Sequence, residues 1–184
     1  MTGRRIGTLC VILGSLCILA AGLLLGHNLR EEHRAAAATQ QLLPAVVQRI
    51  GQSPAPTVSL DGEEYLGVLS LPTLALELPV ISQWSYPRLK TEPCRYCGSA
   101  YSNNLVIAAH NYPSHFGALK DLQTGDEVVL TDMDGNVFLY QVSLTEVLNP
   151  DDVDGMTDGW DLTLFTCTIG GQFRVAVRCT LKSA

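Results

Sequence analysis

The stretch Leu162-Thr163-Leu164-Phe165-Thr166-Cys167 is rich in β-branched and aromatic residues and is predicted to be a buried strand, with a polar, Asp-rich loop (residues 151–159) before it. Strand alternation places three of its side chains on one face: Thr163, Phe165 and Cys167. Because Gly170-Gly171 turns the chain soon afterwards, Cys167 is expected at a strand end, where a thiol can meet a substrate. The alternative is a small buried side chain, since free cysteine is among the most buried residue types.

Other segments with strand-like composition accompany this stretch: Tyr65–Ser70, Leu78–Ile81, Leu105–Ala109, Glu127–Thr131, Val137–Leu148 and Gln172–Leu181. A turn-forming sequence, Asp132–Asn136, joins two of them as a hairpin, in which Gly135 tolerates a positive φ. Residues 116–122 are predicted to form one short helix. We therefore predict a mostly β domain that folds as a closed or nearly closed β-barrel.

The N-terminal region contains an uncharged, apolar run of 21 residues from Ile6 to Gly26. A helix of that length spans about 30 Å, the thickness of the hydrocarbon layer, so we predict a membrane anchor. Two arginines precede it and favour a cytoplasmic N-terminus, although Arg30 and Arg34 follow it and weaken the asymmetry. A cleaved signal peptide is the alternative, but Ala35–Ala38, its best cleavage site, lies well past the apolar run. The prediction is a single-pass protein of the cell membrane with an extracellular domain.

The segment after the anchor is predicted to be a stalk and a linker. Residues from Glu31 to Ile50 are largely good helix formers, interrupted by Pro44, and Gly51–Thr57 has the composition of a turn or extended chain. A solvated continuation of the membrane helix is the alternative for the first part. The predicted organisation is a cytoplasmic tail (1–5), a transmembrane anchor (6–26), an extracellular stalk and linker (27–63) and a globular domain (64–184).

Charge and cysteine usage exclude some function classes. The net charge is −6 at pH 7 and the isoelectric point is about 5.1, so there is no basic surface for nucleic acid. Of the six cysteines, Cys10 and Cys17 lie in the apolar run and the others are scattered, so no dense disulfide framework is predicted.

A nucleophilic cysteine reacts as the thiolate and needs a basic or cationic neighbour. His110 and His115 are the histidines of the predicted domain. His110 follows the apolar strand Leu105–Ala109 and is expected, like Cys167, at a strand end, although a lone histidine there is usually a hydrogen-bonded structural group. His115 lies in the following loop and is expected to be a surface or capping residue.

Arg174 and Arg178 share one face of a predicted strand that can pair with the cysteine strand. A solvent-exposed face is the simplest interpretation. A guanidinium beside a thioester-forming cysteine would instead hold a substrate carbonyl or a developing oxyanion.

Taken together, these segments resemble the sortase family. Thr163–Cys167 matches the T-L-x-T-C signature, Val106–Asn111 is similar to the histidine segment, and Arg174–Arg178 is similar to the arginine strand that follows the cysteine. Further similarities are the N-terminal anchor, the opening Tyr65–Pro72, and the segment Phe116–Leu119 with Leu122 and Gly125-Asp126. The resemblance covers about residues 64 to 182, so that residues 64–184 would be a sortase catalytic domain.

The resemblance implies a closed sortase-type β-barrel with one or two short helices after the transmembrane helix, and a cysteine transpeptidase on the surface of a Gram-positive cell. Cys167 would be the nucleophile, His110 the acid and base, and Arg174 the arginine that orients substrate or stabilises the oxyanion, with Arg178 as the fallback. Thr166 is a weaker candidate for positioning substrate, because its side chain should point away from that of Cys167.

The resemblance also implies the reaction partners. Sortases act on surface or pilin proteins that end in a Leu-Pro-x-Thr-Gly-like sorting signal, and the acceptor is an amine of a peptidoglycan precursor or of a pilin. We expect no cofactor and no metal.

Two features lie outside the family pattern. We interpret Cys94-Arg95-Tyr96-Cys97 as carrying two unrelated or structural thiols; a redox pair and half of a metal site are the alternatives, the latter weak without a second pair of ligands. An acidic run precedes Cys167, and we interpret it as a solvated loop rather than a Ca²⁺ site because its spacing is not that of an EF-hand: Glu146, Asp151, Asp152, Asp154, Asp158 and Asp161.

Three other hypotheses remain. An L,D-transpeptidase would carry a Ser-x-Gly-Cys type segment at its cysteine, which the sequence Phe165-Thr166-Cys167-Thr168 does not match. A membrane-tethered β-barrel that binds or scaffolds without catalysis would keep Cys167 buried. A tethered redox module would depend on Cys94 and Cys97 instead.

Overall fold

The computed structural model describes residues 2–52 and 56–183, with side chains described from residue 7. It divides into two compact units, one that ends at Arg34 and one that begins at Ala35. The predictions that concern Met1, residues 53–55 of the linker and Ala184 lie outside the described residues.

Helix α1 (Thr2–Arg49) carries the apolar N-terminal run. Its large apolar side chains in this run are exposed, Leu23 and Ile18 among them. The most apolar window of 18 residues has a mean hydropathy of 2.6 and is 0% buried. By length and composition this helix can cross a membrane, as predicted.

The last part of α1 belongs to the second unit and packs against the β-sheet. Ala35 and Val46 are fully buried, and the Thr39 hydroxyl donates a hydrogen bond of 3.0 Å to a carboxylate oxygen of Glu92. Buried and half-buried residues recur along the helix at the spacing of one face. The compact unit therefore begins at Ala35, within the segment expected to be a stalk, because this apolar face is covered by the sheet.

Nine strands form one sheet: β1 (Val58–Leu60), β2 (Glu63–Leu71), β3 (Leu76–Ile81), β4 (Cys94–Cys97), β5 (Leu105–Ala108), β6 (Glu127–Asp132), β7 (Val137–Leu148), β8 (Leu162–Cys167) and β9 (Arg174–Ser183). Two short α-helices interrupt them, α2 (Tyr86–Leu89) and α3 (Val153–Thr157), together with the 3₁₀ turns Pro72–Leu74, Ala100–Ser102 and Leu119–Asp121. The short helix expected over residues 116–122 is the last of these turns.

The sheet closes into a barrel. The strand order is β1-β2-β3-β4-β5-β8-β9-β7-β6, and β6 pairs again with β2, so that eight strands form the ring and β1 extends β2. Most pairs are antiparallel, but β3 with β4 and β5 with β8 are parallel. The predicted closed barrel is confirmed.

Each face of the barrel strands has its own apolar cluster. Inward-facing side chains such as Leu69, Ile107 and Leu164 fill the interior of the barrel. Outward-facing side chains such as Phe165 and Ala176 form a second layer, which α1, α2 and α3 cover through Val46, Leu89 and Met156. Both faces of β8 are therefore covered, and five of its six residues are buried, as is typical of a central strand.

Four short elements were not predicted from the sequence: β1, β4, α2 and α3. β4 is only four residues long, contains Cys and Arg, and carries an irregularity between Arg95 and Cys97, so it lacks a strand pattern. The polar loop expected over residues 151–159 contains α3, whose first turn is capped by the Asp152 side chain. Elements this short are defined by their packing and caps rather than by periodicity.

Candidate active site

Strand β8 places Cys167 at its end, on the outer face of the barrel. In the antiparallel pair with β9, Thr163, Phe165 and Cys167 stand opposite Arg178, Ala176 and Arg174. The turn that follows uses Gly170 and Gly171, with φ of 86° and 73°, as predicted. Cys167 is half-buried. It is therefore not the buried thiol that a non-catalytic barrel requires.

The parallel pairing of β5 with β8 brings His110 to the same edge. Ala108 stands opposite Phe165, and the next residue, Ala109, donates its N–H to the Phe165 carbonyl at 3.2 Å. The Thr166 hydroxyl donates to the Ala109 carbonyl at 2.8 Å, so its side chain points away from that of Cys167, as expected. Because parallel strands in register end at one edge, His110, two residues after β5, and Cys167, the last residue of β8, lie at the same edge of the barrel and line one cavity.

Arg174 begins β9 directly opposite Cys167 and is half-buried. Its guanidinium donates from Nη1 to the carbonyls of Gly171 and Phe173, at 3.1 and 3.2 Å. These contacts hold the side chain over the β8–β9 loop.

Cys167, His110 and Arg174 line one cavity of about 180 Å³. A thiol, an imidazole and a guanidinium around a common space provide a nucleophile, a group that transfers protons, and a fixed positive charge for a developing oxyanion. The structure thus brings together the three residues that the sequence singled out. Their roles in catalysis remain a prediction.

Most of the wall of this cavity comes from residues that were not predicted to lie at the site: Trp84, Tyr86, Leu89, Tyr96, Pro150, Val153 and Met156. Three of the aromatic rings form a chain of edge-to-face contacts, with centroids of Trp84 and Tyr96 5.6 Å apart and those of Tyr96 and Phe165 5.4 Å apart. A signal for α2 is present in the sequence, because Ser85 followed by Tyr86-Pro87 is a cap with proline in the first turn.

A second cavity of about 590 Å³ adjoins the first at Thr166 and Cys167. Its remaining lining comes from the loop after His110 and from the β8–β9 loop and strand: Asn111, Pro113, Phe116, Gly117, Ala118, Lys120, Asp121, Thr168, Ile169 and Val175. Cys167 therefore borders open space on two sides.

Arg178, the fallback for the arginine role, is in the protein interior, with 1% of its surface exposed. Its guanidinium donates to Glu146 at 2.8 Å, to the Thr163 hydroxyl at 2.9 Å, and to the carbonyls of Met156 and Gly155. It lines neither cavity beside Cys167. Arg178 thus connects β9 with α3 and β7, and it is not available to a substrate.

His115 is fully buried, so the expectation of a surface or capping residue is wrong. Burial, and secondarily the nearby His110, lower the pKa of His115 to about 4, and the ring is neutral at pH 7. The loop folds inward at this point because the following residue, Phe116, is part of the barrel core. The sequence signal for this burial is the neighbouring Phe116.

None of the six cysteines is in a disulfide, Cys94 and Cys97 included. Cys94 is buried, its thiol donates to the Glu92 carbonyl at 3.5 Å, and burial raises its pKa to about 12. Burial also raises the pKa of the half-buried Cys97 thiol. Neither thiol is activated as a redox pair requires, which fits the interpretation as structural thiols.

Several members of the acidic run have structural partners. Glu146 pairs with Arg178, Asp152 accepts the Gly155 N–H at 2.9 Å at the start of α3, and Asp161 accepts the Leu181 N–H at 2.7 Å. These three carboxylates therefore have structural roles within the fold.

Comparisons with known proteins agree on one family. A model of the Sortase domain matches residues 69–182. Sortase A of Bacillus anthracis is 30% identical over 122 residues, which are 59% of this chain and 55% of that protein, so the chain spans about half the length of this relative. The sortase D5 transpeptidase of Clostridium perfringens superposes with a TM-score of 0.61 at 17% identity, covering 82% of this chain and 99% of that one.

Sortase C of Streptococcus pneumoniae, described in terms of its catalysis and pilin substrate specificity, superposes with a TM-score of 0.57 at 25% identity and covers 65% of this chain and 67% of that one. The family match takes in more than half of the chain, from β2 through β9, and includes the strands that carry Cys167 and Arg174 and lead into His110. On this basis the chain belongs to the sortase family, and its β-barrel is the sortase fold.

Proposed function

We propose that this protein is a cysteine transpeptidase that cleaves a Leu-Pro-x-Thr-Gly-like sorting signal and transfers the acyl part to an amine. The observation that carries the proposal is that Cys167, His110 and Arg174 line the same cavity. Membership of the sortase family supports the same reaction class.

In the first half-reaction the Cys167 thiolate attacks the carbonyl carbon of the signal's threonine. A carbon–sulfur bond forms, and the carbonyl oxygen becomes an oxyanion that the Arg174 guanidinium stabilises. The oxyanion then collapses, the carbon–nitrogen bond to the glycine breaks, and His110 gives a proton to the leaving amine. The product is a thioester between Cys167 and the acyl fragment.

In the second half-reaction an acceptor amine attacks the thioester carbonyl. His110, now without its proton, accepts one from the amine as the new amide bond forms. The carbon–sulfur bond breaks and Cys167 leaves as the thiolate. Bonds and protons balance over the cycle, so no cofactor is required.

The proposed donors are surface or pilin proteins with a C-terminal sorting signal, and the proposed acceptors are amines of a peptidoglycan precursor or of a pilin. We further propose that residues 6–26 cross the cell membrane once, that residues 1–5 are cytoplasmic, and that the catalytic domain predicted over residues 64–184 is extracellular. The apolar composition of α1 supports the membrane location. Protease treatment of intact cells, which should digest only a domain that faces outward, tests the orientation.

The test of the activity uses the full chain in detergent with fluorogenic Leu-Pro-x-Thr-Gly-like peptides, with and without a diaminopimelate-type or lysine-type amine. We expect cleavage that Cys167→Ala abolishes and an acceptor-joined product identified by mass. Cys97→Ser is the matched control, because this thiol is also half-buried but lines neither cavity beside Cys167.

The result that would overturn the proposal is an absence of cleavage across the peptide set, with Cys167 also inert to an alkylating reagent in the folded protein. That outcome would favour a non-catalytic, membrane-tethered scaffold. Disulfide exchange that survives Cys167→Ala and is lost in Cys94→Ala would instead indicate a redox module.

A further inference from the structure

The loop that follows His110 is folded tightly on itself. The N–H groups of His115 and Gly117 both donate to the Tyr112 carbonyl at 2.9 Å, and the Phe116 N–H donates to the His110 carbonyl at 3.1 Å. A Cβ at Gly117 would lie 2.8 Å from the carbonyl oxygens of Asn111 and Tyr112, so only glycine fits there. The backbone at His110 is therefore fixed by the loop.

Three rings from this loop lie in a row. The ring centroids of His110 and Tyr112 are 4.9 Å apart with an interplanar angle of 33°, and those of Tyr112 and His115 are 5.7 Å apart at 45°. The row runs from the cavity, which His110 lines, to the interior, where His115 is 0% exposed. Tyr112 thus occupies the middle position and contacts both imidazoles.

The inner imidazole is uncharged. Burial first, and the proximity of His110 second, lower the pKa of His115, while the Thr91 backbone acts in the opposite direction without a hydrogen bond of normal geometry. At neutral pH the uncharged His115 therefore does not repel a protonated His110. The Tyr112 ring lies within cation–π distance of the His110 imidazole, with 4.9 Å between the ring centroids.

We propose that Tyr112 and His115 are positioning residues for His110: Tyr112 packs on the His110 imidazole and fixes its plane, and His115 supports Tyr112 from the interior. This inference rests on the proposed transpeptidase function. Titratable and charged groups around His110 come from every wall of its cavity and from its own loop: Cys167 on β8, Arg174 on β9, Tyr86 on α2, Tyr96 on β4, and Tyr112 and His115. α3 contributes the uncharged Val153 and Met156.

The kinetic test uses the full chain in detergent and compares Tyr112→Ala with Tyr112→Phe. We expect Tyr112→Ala to lower kcat about 10- to 100-fold and to leave KM within about twofold of the parent. The reason is that a less well oriented His110 would lose part of the rate enhancement that a general acid and base provides. Tyr112→Phe keeps the ring and should stay within about twofold of the parent. Tyr101→Ala is the matched control, since Tyr101 is 67% exposed and lines neither cavity beside Cys167.

A titration that needs no substrate separates this inference from the proposed function. In the NMR spectrum, Tyr112→Ala should lower the pKa of His110 through loss of the cation–π contact, and Tyr112→Phe should leave it unchanged. If Tyr112→Ala does not fold, His115→Ala takes its place, with His115→Phe as the ring-preserving control. The inference is overturned if Tyr112→Ala leaves both the pKa of His110 and kcat at the parent values. It is also overturned if Tyr112→Phe loses as much kcat as Tyr112→Ala. Failure of the parent chain to cleave any peptide, with Cys167 also inert to an alkylating reagent, would overturn the proposed function alone.

Discussion

The two ends of the β8–β9 pair each place an arginine on the same face, yet the two arginines have different surroundings. Arg174 stands opposite Cys167, is half-buried, and donates to two carbonyls of its own loop. Arg178 stands opposite Thr163, is 1% exposed, and donates to a carboxylate, a hydroxyl and two carbonyls from other elements.

Residue type and strand face, which Arg174 and Arg178 share, are therefore not sufficient to assign a role to either residue. A guanidinium with four of its five N–H donors engaged by other elements of the protein stabilises the fold, whereas one at a cavity edge that bonds only to its own loop is available to a substrate. The first should affect stability when removed, and the second should affect catalysis.

The largest effect on stability is expected for Arg178→Met. It leaves Glu146, Thr163 and two carbonyls without their donor, so the free energy of unfolding should fall by about 3–5 kcal/mol. Urea denaturation measures the change. A variant as stable as the parent would show that the contacts of Arg178 do not stabilise the fold.

Arg174→Met is expected to have the opposite profile. Loss of the charge beside Cys167 should lower kcat/KM by about 10²- to 10³-fold, with the unfolding midpoint nearly unchanged. Arg174→Lys should recover only part of the activity, because an ammonium lacks the planar donor geometry. Parent-like kcat/KM in Arg174→Met would remove the distinction between the two arginines.

Glu92 extends the comparison to another buried charge-bearing group. Burial raises its pKa from 4.5 to about 8, partly offset by the hydrogen bond from Thr39. The folded state therefore keeps a proton that the unfolded chain loses above pH 4.5, so the stabilisation is full below that pH and is lost as the pH rises to 8.

As the pH rises from 5 to 8, we expect the ionisation of Glu92 to lower the free energy of unfolding by about 3 kcal/mol. Glu92→Gln should remove this pH dependence. Urea denaturation at the two pH values, parent against variant, measures it. Because His115 is present in both proteins, subtracting the pH dependence of the variant from that of the parent removes the contribution of His115. That contribution has the opposite sign, since the lowered pKa of His115 destabilises the fold as the pH falls. Equal slopes in parent and variant would contradict the assignment.

The smallest effect on stability is expected for Thr166→Val, next to Cys167 at the end of the β8–β9 pair that borders the cavities. The buried Ala109 carbonyl loses its donor, which should cost about 1–2 kcal/mol in unfolding free energy. Thr166→Ser, which keeps the hydroxyl, is the control. Equal thermal unfolding midpoints in the two variants would show that this hydrogen bond does not hold β5 to β8.

Much of the fold was readable because its strands are long enough to show their pattern. β7 was predicted with its observed bounds and β8 to within one residue, and β2, β3, β5, β6 and β9 differ from prediction by a few residues at their ends. β4, α2 and α3 were missed, because four or five residues carry no period. These short elements supply much of the cavity wall, so the site was less complete in prediction than the barrel.

The mostly β class and the apolar N-terminal helix could be predicted from the sequence, because strand alternation and apolar runs are local properties of the chain. Cys167, His110 and Arg174 were also singled out from the sequence, with the choice of Arg174 over Arg178 resting on the resemblance to the sortase family. Tertiary structure alone decided that the parallel β5–β8 register brings His110 beside Cys167, that Arg178 is enclosed while Arg174 is not, and that His115 is buried. The reason is physical: burial and partner choice depend on which distant segments meet, and such contacts leave no period in the sequence.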